Sequence, residues 1–335
     1  MNNISQNEQL ADNILLTIRQ PKSRKPHTVD WLSKRFQVPP SIILQALKQI
    51  ESWGYKIKKN QANEVAFISA PDNLTATEIG YRLKTKYIAQ KIYAYQSVKS
   101  TNDIAYRLAE SKEKEGAIVT AEEQTKGKGR LGRKWFSPSQ AGIYVSIIIK
   151  PKLKPEDAPG ISIMTALALA NSIGKFSLEK VKIKWPNDII IDGKKVAGIL
   201  TELSAEKNKV NFIIVGVGIN VNQKKSDFPD EIKKTASSLR RINKRKVNRI
   251  ELLKLFLVNF EKEYEKYIKS KLTPSRKKIR QYSSLLGNHI VLKRGKTILE
   301  GKAVDINEKG ALIIEKDKKL ITITSGEVSV VKENQ

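Results

Sequence analysis

Apolar residues recur at helical spacing from Gln9 to Ile18, where Leu10, Ile14, Leu15 and Ile18 share one face. Thr28 is placed to cap a short helix through Phe36, and after the turn Val38-Pro39-Pro40, Ser41 is placed to cap a third helix ending near Trp53-Gly54. Tyr55 to Lys59 and Val65 to Ile68 then read as strands paired around Asn60-Gln61-Ala62-Asn63. Helix, helix, helix, hairpin over residues 1–70 predicts a winged helix-turn-helix. Its third helix turns Ile42, Ile43, Ala46, Leu47 and Ile50 inwards and leaves Ser41, Gln45, Lys48 and Gln49 outside, where side chains of this kind can read base edges.

Beyond residue 70 the pattern changes to alternating strands and helices. Pro71 to Lys99 reads as a link, helical over Thr77 to Lys84. Ile118 to Glu122 and Ile143 to Ile149 read as strands, Gly160 to Phe176 as an apolar helix, and Val181 to Lys184 as the start of another run of sheet. Asp192-Gly193 is a hairpin turn between Ile189-Ile190-Ile191 and Val196 to Leu203, and Phe212 to Val217 adds a strand. Arg249 to Lys269 carries one apolar stripe from Leu252 to Tyr267, the mark of an amphipathic helix. From Leu286 short runs alternate with turns at Gly295 and Gly310, which predicts a small β-barrel. The fold class expected is α+β in three domains: 1–70, 71–282 and 283–335.

Composition narrows the chemistry. No cysteine and two separated histidines, His27 and His289, exclude a thiol nucleophile, a disulfide framework and a His/Cys zinc site; no metal ligand set is expected from the protein. No apolar run approaches a membrane span and Met1 to Asp12 is too polar for a signal peptide, so a soluble protein of a reducing cytoplasm is expected. The net charge of +28 is unevenly spread, with +5 in residues 1–70 and +15 in residues 224–296. Most of the excess therefore lies outside the candidate DNA-binding segment.

Candidate chemistry concentrates in Gln124 to Trp135, Gln-Thr-Lys-Gly-Lys-Gly-Arg-Leu-Gly-Arg-Lys-Trp, which has three glycines and no acid. Glycines let backbone approach a ligand, while Lys126, Lys128, Arg130 and Arg133 can surround an anion. Gly127-x-Gly129-x-x-Gly132 matches the dinucleotide pattern but lacks the following helix and the later acid. The Walker A spacing of Gly127 and Gly132 is followed by Arg133-Lys134, with no hydroxyl for magnesium.

Four further motifs accompany the loop in order: Ser100-Thr101-Asn102, Lys184-Trp185-Pro186-Asn187-Asp188, Lys195-Val196-Ala197-Gly198-Ile199-Leu200 and Gly216-Val217-Gly218-Ile219-Asn220-Val221-Asn222. The ordered set resembles the biotin protein ligases from about Asn73 to Glu327, and the preceding residues resemble the DNA-binding domain of the bifunctional members, the biotin operon repressors. That resemblance implies a C-terminal SH3-like domain and a two-step reaction, in which ATP with Mg2+ activates biotin as biotinyl-5'-AMP before transfer to a lysine of the biotin carboxyl carrier protein of acetyl-CoA carboxylase. It implies a biotin site of Ser100, Thr101, Asn102, Gln124, Lys128, Gly129, Arg130 and Lys195, and an adenylate site of Arg130, Arg133, Trp135 and Asn220. Catalytic roles fall to Arg130, Asp188 and Lys195, with Asp188 serving either the acceptor amine or the metal. Lys128 stands where many members have arginine, which keeps the charge but loses the planar fork. The resemblance further implies a ligand-promoted homodimer on operator DNA, contacted through Ser41, Gln45, Lys48 and Gln49. Two alternatives remain: a biotin-sensing DNA-binding regulator without ligase activity, and a ligase whose winged helix is vestigial.

Overall fold

The computed structural model describes residues 6–20, 27–294 and 297–331; the turn expected at Gly295 lies outside them. The chain divides into two compact units, Met1–Asn73 and Leu74–Gln335. Among the described residues no helix is long and apolar enough to cross a membrane.

The first unit comprises α1 (Gln6–Ile18), β1 (His27–Thr28), α2 (Val29–Phe36), α3 (Pro40–Ser52), β2 (Lys56–Lys59) and β3 (Glu64–Ser69). Thr28 caps α2 as expected, its hydroxyl accepting from Trp31 N at 3.1 Å. Ser41 does not cap α3, which begins two residues earlier than such a cap would allow, at Pro40 behind Pro39, and has no side-chain cap. Pro40 suits that place because its fixed φ fits a first turn whose N–H has no helical partner anyway. Ile43, Ala46, Leu47 and Ile50 are buried in one core with Ile14, Leu15 and Leu32, while Ile42 is only half-buried. Ser41, Gln45, Lys48 and Gln49 are exposed. The unexpected two-residue β1 adds to the hairpin, giving the order β1-β3-β2.

In the second unit α4 (Ala76–Gly80) is shorter than expected, because Arg82 adopts positive φ just after it. The supposed link then contains a strand, β4 (Ile92–Val98). It is an edge strand with much of its length exposed, so it shows no apolar alternation in sequence. There follow α5 (Thr101–Glu110), β5 (Ile118–Gln124), β6 (Gly142–Ile149), α6 (Pro159–Ile173), β7 (Lys182–Lys184), β8 (Asp188–Ile191), β9 (Lys194–Glu206) and β10 (Lys209–Asn220). The seven strands form one mixed sheet in the order β4-β5-β6-β10-β9-β8-β7, with β4 and β5 parallel and the other pairs antiparallel. Asp192 and Gly193 close the β8–β9 hairpin, both at positive φ, as an Asp-Gly turn requires.

Helices α7 (Asp230–Lys233), α8 (Leu239–Asn243), α9 (Arg249–Ser270) and α10 (Arg276–Tyr282) follow the sheet. Helix α6 and the Leu252 to Tyr267 stripe of α9 share a core with Ile143, Val145, Ile147 and Ile149 of β6. The opposite face of β6 offers Ile148 to Ala105 and Ala109 of α5. Both faces are therefore covered, which explains why β6 reads as an unbroken apolar run. Two buried acids fasten α9. Glu122 pairs with the fully buried Arg249 at 2.7 Å and also accepts from Leu74 N. Glu261 accepts the backbone N–H groups of Lys86, Tyr87 and Ile88 at 2.8 to 3.0 Å.

The C-terminal strands are β11 (His289–Arg294), β12 (Thr297–Ile306), β13 (Leu312–Lys316), β14 (Lys319–Ile323) and β15 (Glu327–Val330). They form an antiparallel sheet in the order β14-β13-β12-β11-β15, and β15 was not foreseen in the sequence. Trp185 Nε1 donates to Gly310 O at 2.9 Å, joining the loop before β8 to this sheet.

Candidate active site

The α5 face of the sheet carries a floor without side chains. Gly218 lies opposite Gly198 across β10 and β9, with Gly216 two residues away. A Cβ on Gly218 would meet the Trp135 indole at 2.4 Å, one on Gly198 would meet it at 2.9 Å, and one on Gly216 would meet Asn102 at 2.1 Å. Only glycine lets Trp135 and Asn102 lie this close to the strands. Trp135 is half-buried over these strands, while Phe136 packs near Phe228.

Asn102 and its neighbours form a tight polar group. Ser100 sits at the N-cap position of α5 but makes no side-chain capping bond. Thr101 donates to Gln124 Oε1 through N at 2.9 Å and through its hydroxyl at 3.1 Å, and Gln124 Nε2 donates to Ser137 Oγ. Asn102 Nδ2 donates to Glu202 at 2.6 Å, and Ser146 Oγ lies 2.6 Å from Asn102 Oδ1 and 2.8 Å from Thr101 Oγ1. These bonds fix the orientation of both amides. Ser137, Ser146 and Glu202 were missed in the sequence; only Ser146, a polar residue inside an apolar run, left a signal.

The glycine-rich loop covers this group. It contains a 3-10 turn from Arg130 to Gly132, closed by Arg133 N donating to Arg130 O at 3.2 Å, and Gly129 N donates to Arg133 O at 2.7 Å across it. Arg130 Nη1 donates to Asn187 Oδ1 at 2.9 Å, and burial lowers the guanidinium below its ordinary pKa, opposed by the charges of Asp188 and Glu327. Asn187 is held in turn by Ile199 O. Lys128 pairs with Asp103, which raises its pKa, and Arg133 reaches away to Glu327 on β15. Lys195 Nζ lies 2.7 Å from Asp188 Oδ1 and 5.2 Å from the centre of the Trp135 ring.

Two cavities meet here. The narrower, about 50 Å³, is lined by Ser100, Thr101, Asn102, Gln124, Lys128 and the glycine floor. The larger, about 380 Å³, is lined by Arg133, Phe136, Asp188, Asn220 and residues 326–329 of the C-terminal sheet. Gly129, Arg130, Trp135, Asn187 and Lys195 border both. The structure thus brings the sequence-predicted biotin residues together in one cavity and the adenylate residues in the adjoining one, with Arg130 and Lys195 between them. The C-terminal lining had no signal in the sequence. Among the described residues no group of three His, Cys, Asp or Glu side chains is arranged to hold a metal.

Residues 94–220 match the Biotin/lipoate A/B protein ligase family, and residues 285–331 match the Biotin protein ligase C terminal domain. The Bifunctional ligase/repressor BirA of Bacillus subtilis (strain 168) is 33% identical over 284 residues, covering 85% of this chain and 87% of its own length. The Biotin--[acetyl-CoA-carboxylase] ligase of Mycobacterium tuberculosis is 28% identical over 236 residues, 68% of this chain and 85% of its own. Biotin protein ligase from Aquifex aeolicus, solved in complex with biotin and ATP, is similar with a TM-score of 0.62 at 32% identity, over 73% of this chain and 100% of that one. The mixed sheet and its site are those of a ligase. More narrowly, the chain belongs to the biotin protein ligase family and is an enzyme of it.

Proposed function

We propose that the protein joins biotin to a lysine of the biotin carboxyl carrier protein of acetyl-CoA carboxylase, through biotinyl-5'-AMP. The observation that carries this reading is the wall shared by the two cavities. A ureido ring among Ser100, Thr101, Asn102 and Gln124 would send its carboxylate towards Arg130 and Lys195. A nucleotide in the larger cavity would lay adenine against Trp135 near Asn220 and bring its α-phosphate to the same two cations. A carboxylate oxygen then attacks the α-phosphorus and pyrophosphate leaves. In the second step the acceptor amine attacks the acyl carbon, AMP leaves and the amine loses a proton.

Two anions must meet in the first step, so positioned cations supply the main assistance. Asp188 holds Lys195 in place and would serve either to orient the acceptor amine or to help bind Mg2+, which typically takes one or two protein carboxylates beside substrate phosphates. The narrow cavity lies beside the loop that carries Lys128 and Arg130, so lifting of that loop would widen the way in for biotin. The first unit is read as a winged helix-turn-helix that binds operator DNA through Ser41, Gln45, Lys48 and Gln49 as a ligand-promoted dimer, making the protein a biotin-responsive repressor. The exposure of all four side chains supports this. Residues 71–282 are read as the catalytic domain and 283–335 as an SH3-like domain, and the protein as cytoplasmic.

The test is incubation with ATP, Mg2+, biotin and a carrier domain, followed by mass analysis. One biotinyl addition on one carrier lysine is expected. An unmodified carrier under conditions where both ligands bind would contradict the reading.

A further inference from the structure

The catalytic sheet ends at β7, and the surface around that edge is strongly cationic. Lys175 and Lys180, in the segment leading into β7, are exposed. Lys244, Arg245 and Lys246 follow α8 and are exposed too. Asn243 brings them alongside, accepting from Leu178 N at 3.1 Å and donating to Phe176 O. Lys277 and Lys278 come from α10, and Lys278 shares a cavity of about 400 Å³ with Lys180 and Lys182.

Charge is unbalanced here. Glu179 is the one carboxylate in residues 175–182, 244–246 and 276–282. None of the seven exposed cations just named forms an ion pair among the described residues, although Lys86, Lys271 and Lys309 on other faces do. An uncompensated patch of one sign focuses the field outwards and raises the local concentration of an oppositely charged partner.

The patch runs up to the reaction cavity. Lys182 lines the cationic cavity and Lys184 lines the larger reaction cavity. Residues two apart on a strand project from the same face, roughly 7 Å from each other. Leu178, 74% exposed, stands within the patch. A leucine offers nothing to a phosphate backbone but packs against a protein face.

We propose that this surface docks an acidic acceptor protein and leads its lysine along β7 to the reaction cavity. The proposal rests on the ligase reading and adds where the acceptor sits. Opposite charges steer the encounter, while Leu178 supplies an apolar contact.

The test compares three full-length proteins: wild type, the variant K180E/R245E/K278E with one change in each segment, and a control of equal charge change, K316E/K318E/K319E, at the exposed β13–β14 turn. Biotin-dependent pyrophosphate release is measured without acceptor, and transfer is measured with an acidic carrier domain at low and moderate salt. Pyrophosphate release should be the same in all three, which also shows that the variants fold. The acceptor KM should rise on the order of tenfold in the patch variant alone, and the difference should shrink as salt screens it. An unchanged acceptor KM, or a rise shared by the control, overturns the docking surface. Loss of DNA affinity with an unchanged acceptor KM overturns it also and assigns the patch to phosphate. Absence of pyrophosphate release in wild type overturns the ligase reading and this proposal with it.

Discussion

Lys195 is one of two adjacent lysines in a lysine-rich chain, and its surroundings separate it from the rest. It is anchored by Asp188, faces the Trp135 ring and borders both cavities. Lys195→Ala should slow adenylate formation on the order of 10² to 10³-fold, the usual effect of removing one preorganised donor; pyrophosphate exchange at the wild-type rate would remove the residue from the chemistry. Gly218 gives a second test at this scale. Its Cβ would enter the indole at 2.4 Å, so Gly218→Ala must displace Trp135. If that ring is adenine's face, the KM for ATP should rise about tenfold, or about 1.4 kcal/mol. A wild-type KM for ATP would place adenine elsewhere. The glycines and the cations were legible in the sequence as motifs. Which ring lies on which glycine was not, because that depends on the β9–β10 register and on the path of the loop.

At the scale of elements, long patterns were legible and exposed edges were not. Helix α9 and strand β6 announce themselves because each buries a continuous stripe or both faces. Strands β4 and β15 lie at sheet edges and bury little, so their sequences resemble linkers. The loop makes a third prediction. Arg130 holds it down through Asn187 and is one of the two cations at the shared wall, so Arg130→Gly should form the adenylate more slowly and release what it forms. Biotinylation of lysine-rich bystander proteins would report the leak, whereas retention equal to wild type in a single-turnover chase would assign the gate to another residue. The Glu122–Arg249 pair makes a fourth. It is fully desolvated, so Arg249→Met strands a carboxylate and should cost about 3–5 kcal/mol in urea unfolding. Adding Glu122→Gln should recover much of that loss. A neutral single variant would show that Glu122 finds compensation elsewhere.

The whole molecule consists of two units, each with its own core, and their separate activities should be separable. Removing residues 1–73 should abolish operator binding and leave ligase activity at least in part. If the proposed dimer on two half-sites forms, operator affinity in the intact protein should increase when biotin and ATP are both present and weaken with salt. A mobility shift independent of both ligands would uncouple the two units. The central claim, however, concerns the wall between the cavities, where a carboxylate and an α-phosphate are held against Arg130 and Lys195. Exchange of labelled pyrophosphate into ATP, measured without any acceptor, tests it most directly. The account predicts exchange that depends on biotin and Mg2+ and disappears when either is omitted. Binding of biotin and ATP together with no exchange would contradict it and leave a biotin-sensing regulator without ligase activity.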